Sequence, residues 1–133
     1  RFTIHPTQPA FAAPGRLLMT TLRTHDQFNT TVYSENDRYR GISGSRRVLF
    51  INPDDLRAAQ LTAGEQVDIT SHFRDETRTV RGFRLVPYDI PRGCVASYYP
   101  ETNDLVPIES YAQGSMTPAY KSVEVSLTPS RKP

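Results

Sequence analysis

The residues of this sequence best suited to holding a ligand lie in one polar stretch, residues 23–47. The stretch concentrates hydroxyl, amide, imidazole, carboxylate and guanidinium groups, and neither a two-residue nor a 3.6-residue hydrophobic period runs through it. An irregular segment of this length inside a small domain is usually functional or disordered. Because isolated aromatic residues interrupt the stretch, such as Phe28, Tyr33 and Tyr39, we favour function and expect a ligand here.

Regular elements flank this polar stretch and must hold it in place. Residues 16–22 predict a strand before it, and the apolar residues 48–51 (VLFI) predict a short strand after it. Residues 52–55 (NPDD) then combine an N-cap Asn, a Pro at the first helical position and two acidic residues at the positive end of a helix dipole. A short helix is predicted, and capping is a sufficient role for both aspartates.

The remaining strands are short and separated by turns. Residues 65–71 and 77–86 alternate with period two and predict a hairpin with its turn at residues 73–76. Residues 94–99 and 121–127 predict two further strands. About six short strands with one or two short helices predict a mainly β fold, and a closed barrel removes the exposed edges of so small a sheet.

The domain boundaries follow from proline content. Pro6, Pro9 and Pro14 make residues 1–15 a lead-in segment that we expect to pack against something outside this chain. The barrel domain is predicted over residues 16–128, with a tail at 129–133. Because the sequence begins without Met, we expect either a processed protein or an excised piece of a longer one, and we favour the excised piece.

Composition excludes several classes of function. The 16 basic and 14 acidic residues leave a net charge of +2, too small for charge alone to predict nucleic-acid binding. No apolar run approaches the roughly 20 residues that span a bilayer. The single cysteine, Cys94, excludes a disulfide framework or a cysteine-rich metal site within this chain and is predicted to be a small core residue. A cytoplasmic location is expected, and His5 and His72 are predicted to be isolated surface residues.

Four blocks in this order resemble a known family. Residues 20–31 (TTLRTHDQFNTT) are similar to its first strand and cofactor loop, and residues 52–69 carry its Asn-Pro-Asp-Asp to Gly-Glu signature. Residues 90–103 (IPRGCVASYYPETN) and 117–121 (TPAYK) resemble its later segments. The family is the C-terminal dinucleotide-binding domain of molybdopterin oxidoreductases, the superfamily of formate dehydrogenase and dimethyl sulfoxide reductase. Residues 25–31, 36–41 and 98–103 are most similar to those of a formate-dehydrogenase-like branch of unassigned substrate.

This resemblance implies a fold and a cofactor. The fold is a six-stranded double-psi β-barrel of the aspartate-decarboxylase type. The cofactor is bis(molybdopterin guanine dinucleotide) with molybdenum or tungsten, and the metal is ligated by another domain. The chain then has no catalytic residue of its own, its partners are the remaining domains of the same oxidoreductase, and neither nucleic acid nor membrane is a partner.

The resemblance also implies a set of cofactor-binding residues. Family members often carry a Gly-Arg pair before the cofactor loop, where this chain has Thr20 and Thr21, so which side chain contacts which cofactor group stays open. Guanidinium groups could pair with phosphates, although Arg38 and Arg40 could equally be surface arginines. The predicted cofactor-binding residues are Thr21, Leu22, Arg23, His25, Gln27, Asn29, Thr30, Asn103 and Lys121.

Each of these residues has an ordinary structural alternative. Asn and Thr side chains in the polar stretch can cap turns in a solvated loop, and so can Asn103. Lys121 could begin an edge strand, where lysine discourages aggregation. His25 is accompanied by no nucleophile or metal-ligand set, so we expect a hydrogen-bond donor to the cofactor rather than a catalytic base.

Two other function classes are consistent with a double-psi barrel. One is a stand-alone interaction module without cofactor, although the polar stretch is longer than such a module needs. The other is a self-processing decarboxylase, which requires an internal Gly-Ser cleavage site. Gly44-Ser45 and Gly114-Ser115 are present, but both are predicted in loops without the flanking strands that such a site has.

Overall fold

Six strands form the body of the protein. The computed structural model describes residues 2–3 and 12–131, so most of the predicted lead-in segment, including His5, lies outside the described residues. The barrel strands fall at every position where a strand was predicted. They are β1 (Leu17–Leu22), β4 (Val48–Ile51), β5 (Gln66–Phe73), β6 (Glu76–Pro87), β7 (Cys94–Tyr98) and β8 (Val123–Pro129).

The six strands close into a barrel in the order β1-β7-β4-β6-β5-β8. Strands β1 and β7 are parallel, as are β4 and β6, and the other neighbours are antiparallel. The set of neighbours is unchanged when β1, β4 and β5 trade places with β6, β7 and β8. Two interlocked halves of this kind, each contributing a strand to the other's parallel pair, make the predicted double-psi barrel, and closure leaves none of the six with a free edge.

The barrel core explains why β4 reads as a continuous apolar run. All four of its residues are buried, because successive side chains of a strand point to opposite faces. Leu49 and Ile51 join the apolar cluster that fills the barrel, while Val48 and Phe50 pack in a second cluster with Ile42 of the polar stretch. A strand covered on both faces carries no polar alternation.

The predicted helix is present and short. Helix α1 (Pro53–Ala58) is capped by Asn52, whose side chain accepts a hydrogen bond of 2.8 Å from the backbone N–H of Asp54. Capping is not the whole role of Asp55, however. Its carboxylate accepts hydrogen bonds from the Gly93 backbone and the Arg92 side chain, so it also ties the helix to the turn before β7.

The hairpin of β5 and β6 is confirmed, with Phe73 opposite Glu76 at the turn. Its register shifts between Val67 and Ile69, near the point where the Asp68 carboxylate accepts a 3.1 Å hydrogen bond from the Gly82 backbone. Gly82 has φ of +72°, a conformation that glycine adopts without steric cost. Strand β8 runs to Pro129, slightly beyond the predicted boundary at residue 128.

The polar stretch contains more structure than predicted. Two short strands, β2 (Gln27–Phe28) and β3 (Thr31–Val32), form a small hairpin. Further along, Asp37 and Ile42 form an isolated antiparallel bridge. The rest of the stretch is irregular, as predicted, and it crosses the outside of the barrel rather than adding a strand to it.

Two minor predictions differ from the structure. Cys94 is half-buried at the start of β7 and is not a core residue. His72 is half-buried in β5, and its Nε2 lies 2.8 Å from the Ser126 hydroxyl on β8, so it is not an isolated surface residue.

Among the described residues, no helix is long and apolar enough to cross a membrane.

Candidate functional site

A cavity of about 400 Å³ opens at one edge of the barrel, and we call it the rim cavity. Hollows of about 550 Å³ and 650 Å³ lie elsewhere on the protein, but neither contains a predicted site residue. Volume alone therefore does not identify the site. Five of the nine predicted residues line the rim cavity: Thr21, Leu22, Arg23, Asn103 and Lys121.

Parallel pairing of β1 and β7 creates the rim cavity. Parallel strands end at the same edge of a sheet, and Leu22 lies opposite Tyr98 at that edge. The pairing of the two segments extends one residue past β7, because the Tyr99 backbone N–H donates a 2.9 Å hydrogen bond to the Leu22 carbonyl. Arg23 and Tyr99 thus leave the barrel side by side.

A third segment, just before β8, completes the wall. The Thr21 backbone N–H donates a 3.1 Å hydrogen bond to the Tyr120 carbonyl, and the Lys121 ammonium donates to the Thr21 carbonyl. These bonds join residues about 100 positions apart in the chain. They hold the exposed Lys121 against the end of β1, a contact that the alternative edge-strand role does not require.

The electrostatics of the rim cavity favour an anion. Partial burial lowers the pKa of Lys121, and the positive charge of Arg23 lowers it further. A neighbouring cation disfavours the charged form of a lysine, and a negative group bound between the two stabilises that charged form. None of the residues that line the cavity is acidic, so the two cations lack a carboxylate from its walls.

Aromatic side chains form another part of the cavity wall. The rings of Tyr99 and Tyr120 lie with centroids 6.4 Å apart and planes inclined by 33°. Flat aromatic faces suit contact with a planar heterocycle, and the Asn103 side chain offers both a donor and an acceptor for its edge. A phosphate beside a ring system therefore fits the groups present.

Arg46, which the sequence analysis did not single out, is the most buried polar residue of the polar stretch after Asp37. Its side chain is 1% exposed. The guanidinium donates to Thr24 at 3.0 Å, to Gln27 at 2.8 Å and to the Tyr99 carbonyl at 2.7 Å. It also forms an ion pair with Glu101 at 2.6 Å. Arg46 thereby joins the segment after β1 to the segment after β7.

Four predicted residues lie outside the rim cavity. Both ends of the Gln27 amide bind within the protein. Its oxygen accepts a hydrogen bond from Arg46, and its nitrogen donates a 2.9 Å hydrogen bond to the Asn29 carbonyl. Asn29, with φ of +53°, and Thr30 form the exposed turn between β2 and β3. The His25 ring lies 3.0 Å from the Asp26 carboxylate and packs edge-on against Tyr39.

A second buried cluster was also missed by sequence reasoning. The Asp37 carboxylate is fully buried and accepts hydrogen bonds from the Tyr98 hydroxyl at 2.7 Å and from Arg40 at 2.6 Å. Arg40 is therefore paired within the protein, whereas Arg38 lies on the surface over the Tyr39 ring, 5.3 Å from its centroid. No pattern in the sequence separates Asp37 and Arg46 from their exposed polar neighbours.

The described residues contain no group of three or more His, Cys, Asp or Glu placed to hold a metal ion. What the geometry does define is a class: a small closed barrel whose edge carries a cationic, aromatic-walled cavity suited to an anionic ligand with a ring system. Within that class the particular family is known from comparison. The chain belongs to the molydopterin dinucleotide binding domain family, whose model matches residues 17–124.

Relatives that share this domain are much longer proteins. The chain is 47% identical to an uncharacterized oxidoreductase of Mycobacterium tuberculosis, over 96% of this chain and 17% of that protein. It is 34% identical to the protein YdeP of Escherichia coli strain K12, over 92% of this chain and 16% of that protein. The chain thus spans about a sixth of the length of these relatives.

A solved structure supports the fold. Acetylene hydratase from Pelobacter acetylenicus superposes with a TM-score of 0.56 over 85% of this chain and 18% of that one. The two sequences are 12% identical, so the likeness concerns the fold alone. In that protein too, the matching part is a small share of a long chain.

Proposed function

We propose that this chain is the cofactor-binding domain of a larger oxidoreductase, and that the rim cavity receives part of a molybdopterin dinucleotide. One observation carries the proposal: in a chain of this family, the cations Arg23 and Lys121 lie close together in the wall of one cavity, beside two tyrosine rings. The small share of its relatives that the chain covers supports a multidomain protein. The remaining domains of that protein would be its partners.

The residues present fit part of such a cofactor. Arg23 and Lys121 would hold a phosphate, Asn103 would meet the edge of a ring system, and Tyr99 and Tyr120 would pack against its face. A cavity of about 400 Å³ accommodates one ring system with its phosphate rather than an entire dinucleotide. When bound, the cofactor supplies metal-centred redox chemistry, while the domain binds and orients it.

The finer assignment rests on the sequence blocks. We propose the guanine dinucleotide form, with molybdenum or tungsten ligated outside this chain, in a formate-dehydrogenase-like branch of the superfamily. The segments at residues 25–31, 36–41 and 98–103 support that branch. A cytoplasmic location belongs to the same proposal, with a single cysteine in the sequence as its support.

The test is the cofactor content of the protein expressed from its complete reading frame. We expect the double variant Arg23→Gln with Lys121→Gln to lose most of its bound pterin, measured by fluorescence after release with acid, because it removes both phosphate-binding cations. Arg57→Gln with Arg81→Gln is the matched control, since it removes two exposed arginines outside the rim cavity. Equal pterin content in both variants would contradict the proposal.

A second variant tests the outer part of the polar stretch. The sequence predicts that His25→Ala with Asn29→Ala also lowers pterin content, although both residues lie outside the rim cavity. Retention of the wild-type content would remove the hairpin from the site and leave the rim cavity as its whole extent in this domain. Inductively coupled plasma mass spectrometry on the same samples would distinguish molybdenum from tungsten.

A further inference from the structure

We propose that Arg46 is a positioning residue, which keeps the rim cavity in its binding geometry without touching the ligand. This inference rests on the proposed function of the rim cavity. Arg23 and Tyr99 are both in the cavity wall. Thr24, which follows Arg23 in the chain, accepts a hydrogen bond from Arg46, and the Tyr99 carbonyl accepts another.

All three guanidinium nitrogens of Arg46 are occupied. Nε binds Glu101, Nη1 binds Thr24, and Nη2 is shared by Gln27, the Tyr99 carbonyl and the second Glu101 oxygen. The face of the group lies 4.8 Å from the centroid of the Tyr98 ring. Each guanidinium nitrogen therefore has at least one acceptor within the protein, and Glu101 balances the charge, so the Arg46 side chain is committed to the protein.

The partners of Arg46 lie in connecting segments rather than in the barrel. Apart from Tyr98 at the end of β7, they belong to residues 24–27 and 99–101, outside the six barrel strands. The barrel interior is a separate apolar cluster that does not include Arg46. Loss of Arg46 contacts should therefore loosen the two segments that form the cavity wall more than the barrel itself.

Burial of a charge is costly, which argues for a specific use. Removing a guanidinium from water carries a penalty of several kcal/mol, which is repaid only by close pairing and complete hydrogen bonding. Apolar packing could join two connecting segments at a smaller cost in free energy. A planar group with donors along three edges instead fixes their distance and their orientation together, and a binding site needs both.

This geometry also assigns a role to Gln27. Its side-chain oxygen accepts from Arg46, and its nitrogen donates to the Asn29 carbonyl. Gln27 thus continues the connection from Arg46 into the β2–β3 hairpin. Within this inference, Gln27 acts by positioning, and its substitution should resemble a weaker version of the Arg46 substitution.

The experiment compares pterin release from the full-length protein. Arg46→Lys keeps the positive charge, but one ammonium cannot reach all of the partners of a guanidinium. We expect pterin release to be faster by roughly tenfold or more, the scale seen when residues that orient the ligands of a bound group are replaced. The matched control is Val125→Ala, which truncates a fully buried side chain of the barrel interior and should lower the melting temperature without accelerating release.

The outcomes separate the two proposals. Wild-type protein without pterin would overturn the proposed function, and this inference with it. Wild-type protein with pterin, together with equal release rates in Arg46→Lys and Val125→Ala at equal fractions folded, would overturn the positioning role alone. If Arg46→Lys does not fold, Gln27→Ala gives the answer, since it removes one partner and leaves the Arg46–Glu101 pair. Release at the wild-type rate from that variant would contradict the inference.

Discussion

The Tyr98 hydroxyl donates a 2.7 Å hydrogen bond to the buried carboxylate of Asp37, 61 positions earlier in the chain. The bond joins the last residue of β7 to the middle of the polar stretch. Arg40 adds an ion pair to the same carboxylate oxygen at 2.6 Å. The polar stretch is therefore attached to the barrel at two buried points, Asp37 and Arg46. The exposed β2–β3 hairpin precedes both of them in the chain.

Asp37 gives the first prediction, because its titration is coupled to folding. Burial alone would raise the pKa of Asp37, but the hydrogen bonds from Tyr98 and Arg40 outweigh burial and hold it below 3.8. A carboxylate with a lowered folded pKa stabilises the fold above its unfolded pKa, and this contribution disappears as the pH falls through the folded pKa. We expect Asp37→Asn to lower the free energy of unfolding by about 1–3 kcal/mol at pH 7.

Urea unfolding of this chain at a series of pH values measures the effect. The difference between wild type and Asp37→Asn should shrink as the pH drops below 3.8, because the wild-type carboxylate then becomes neutral as well. Asp54→Asn is the control, since its ion pair with Arg57 is exposed and such pairs contribute little. A gap between wild type and Asp37→Asn that stays constant through the acid range would contradict the coupling.

A second prediction concerns the mobility of the polar stretch. The backbone N–H groups of Asp37 and Ile42 each donate to the other residue's carbonyl, at 2.8 Å and 3.0 Å, and both residues are buried. Asn29 and Thr30 form the exposed turn of the hairpin. Hydrogen exchange of the chain without cofactor should therefore be slow at Asp37 and Ile42 and fast at the hairpin turn.

This pattern differs from what the sequence alone predicts, which is a stretch more mobile than the barrel along its whole length. Amide exchange followed by nuclear magnetic resonance resolves the two cases. Protection that is uniformly high, or uniformly absent, across residues 23–47 would contradict the picture of a buried attachment at Asp37 and Ile42 beside an exposed hairpin. Added cofactor should leave Asp37 and Ile42 unchanged, because both are already bonded without it.

Local pattern was sufficient to predict the six barrel strands, although not the short β2 and β3 of the polar stretch. Alternation in β5 and β6, the apolar run of β4 and the Asn52 cap are short-range features, and each is decided by residues close together in the chain. Barrel closure also followed, because so many short strands need to cover their edges. The identification of Lys121 with the same site as Thr21 came from the family resemblance, since no local pattern joins residues 100 positions apart.

Arg46 and Arg47 show why the rest of the site could not be predicted. They are adjacent, identical in type and flanked by the same polar stretch, yet Arg46 is buried and Arg47 is exposed over the Phe83 ring. What separates them is the position of Thr24 and Glu101, 22 residues before and 55 residues after Arg46. The same holds for Asp37, whose burial depends on Tyr98. A buried charge is determined by distant partners, and a single sequence does not reveal which partners meet.

The last prediction tests the closeness of the two cations in the rim cavity. Burial is the larger cause of the lowered pKa of Lys121, and the charge of Arg23 is the second. We expect Arg23→Gln to raise the pKa of Lys121 toward 10.5 without restoring it fully, because the burial remains. A lysine whose folded pKa is lowered favours the neutral form, so its charged form costs stability below the folded pKa, and stability is regained as the pH rises from that pKa to 10.5.

Nuclear magnetic resonance titration of the Lys121 side chain in the chain without cofactor measures the pKa directly. Arg38→Gln is the control, because it removes an exposed arginine that is not among the causes of the Lys121 shift. An unchanged Lys121 pKa in Arg23→Gln would mean that the two charges do not interact. They could not then be described as a joint phosphate site. A rise confined to Arg23→Gln would instead show that the two positive charges repel each other in the chain without cofactor, a repulsion that the proposed phosphate would offset.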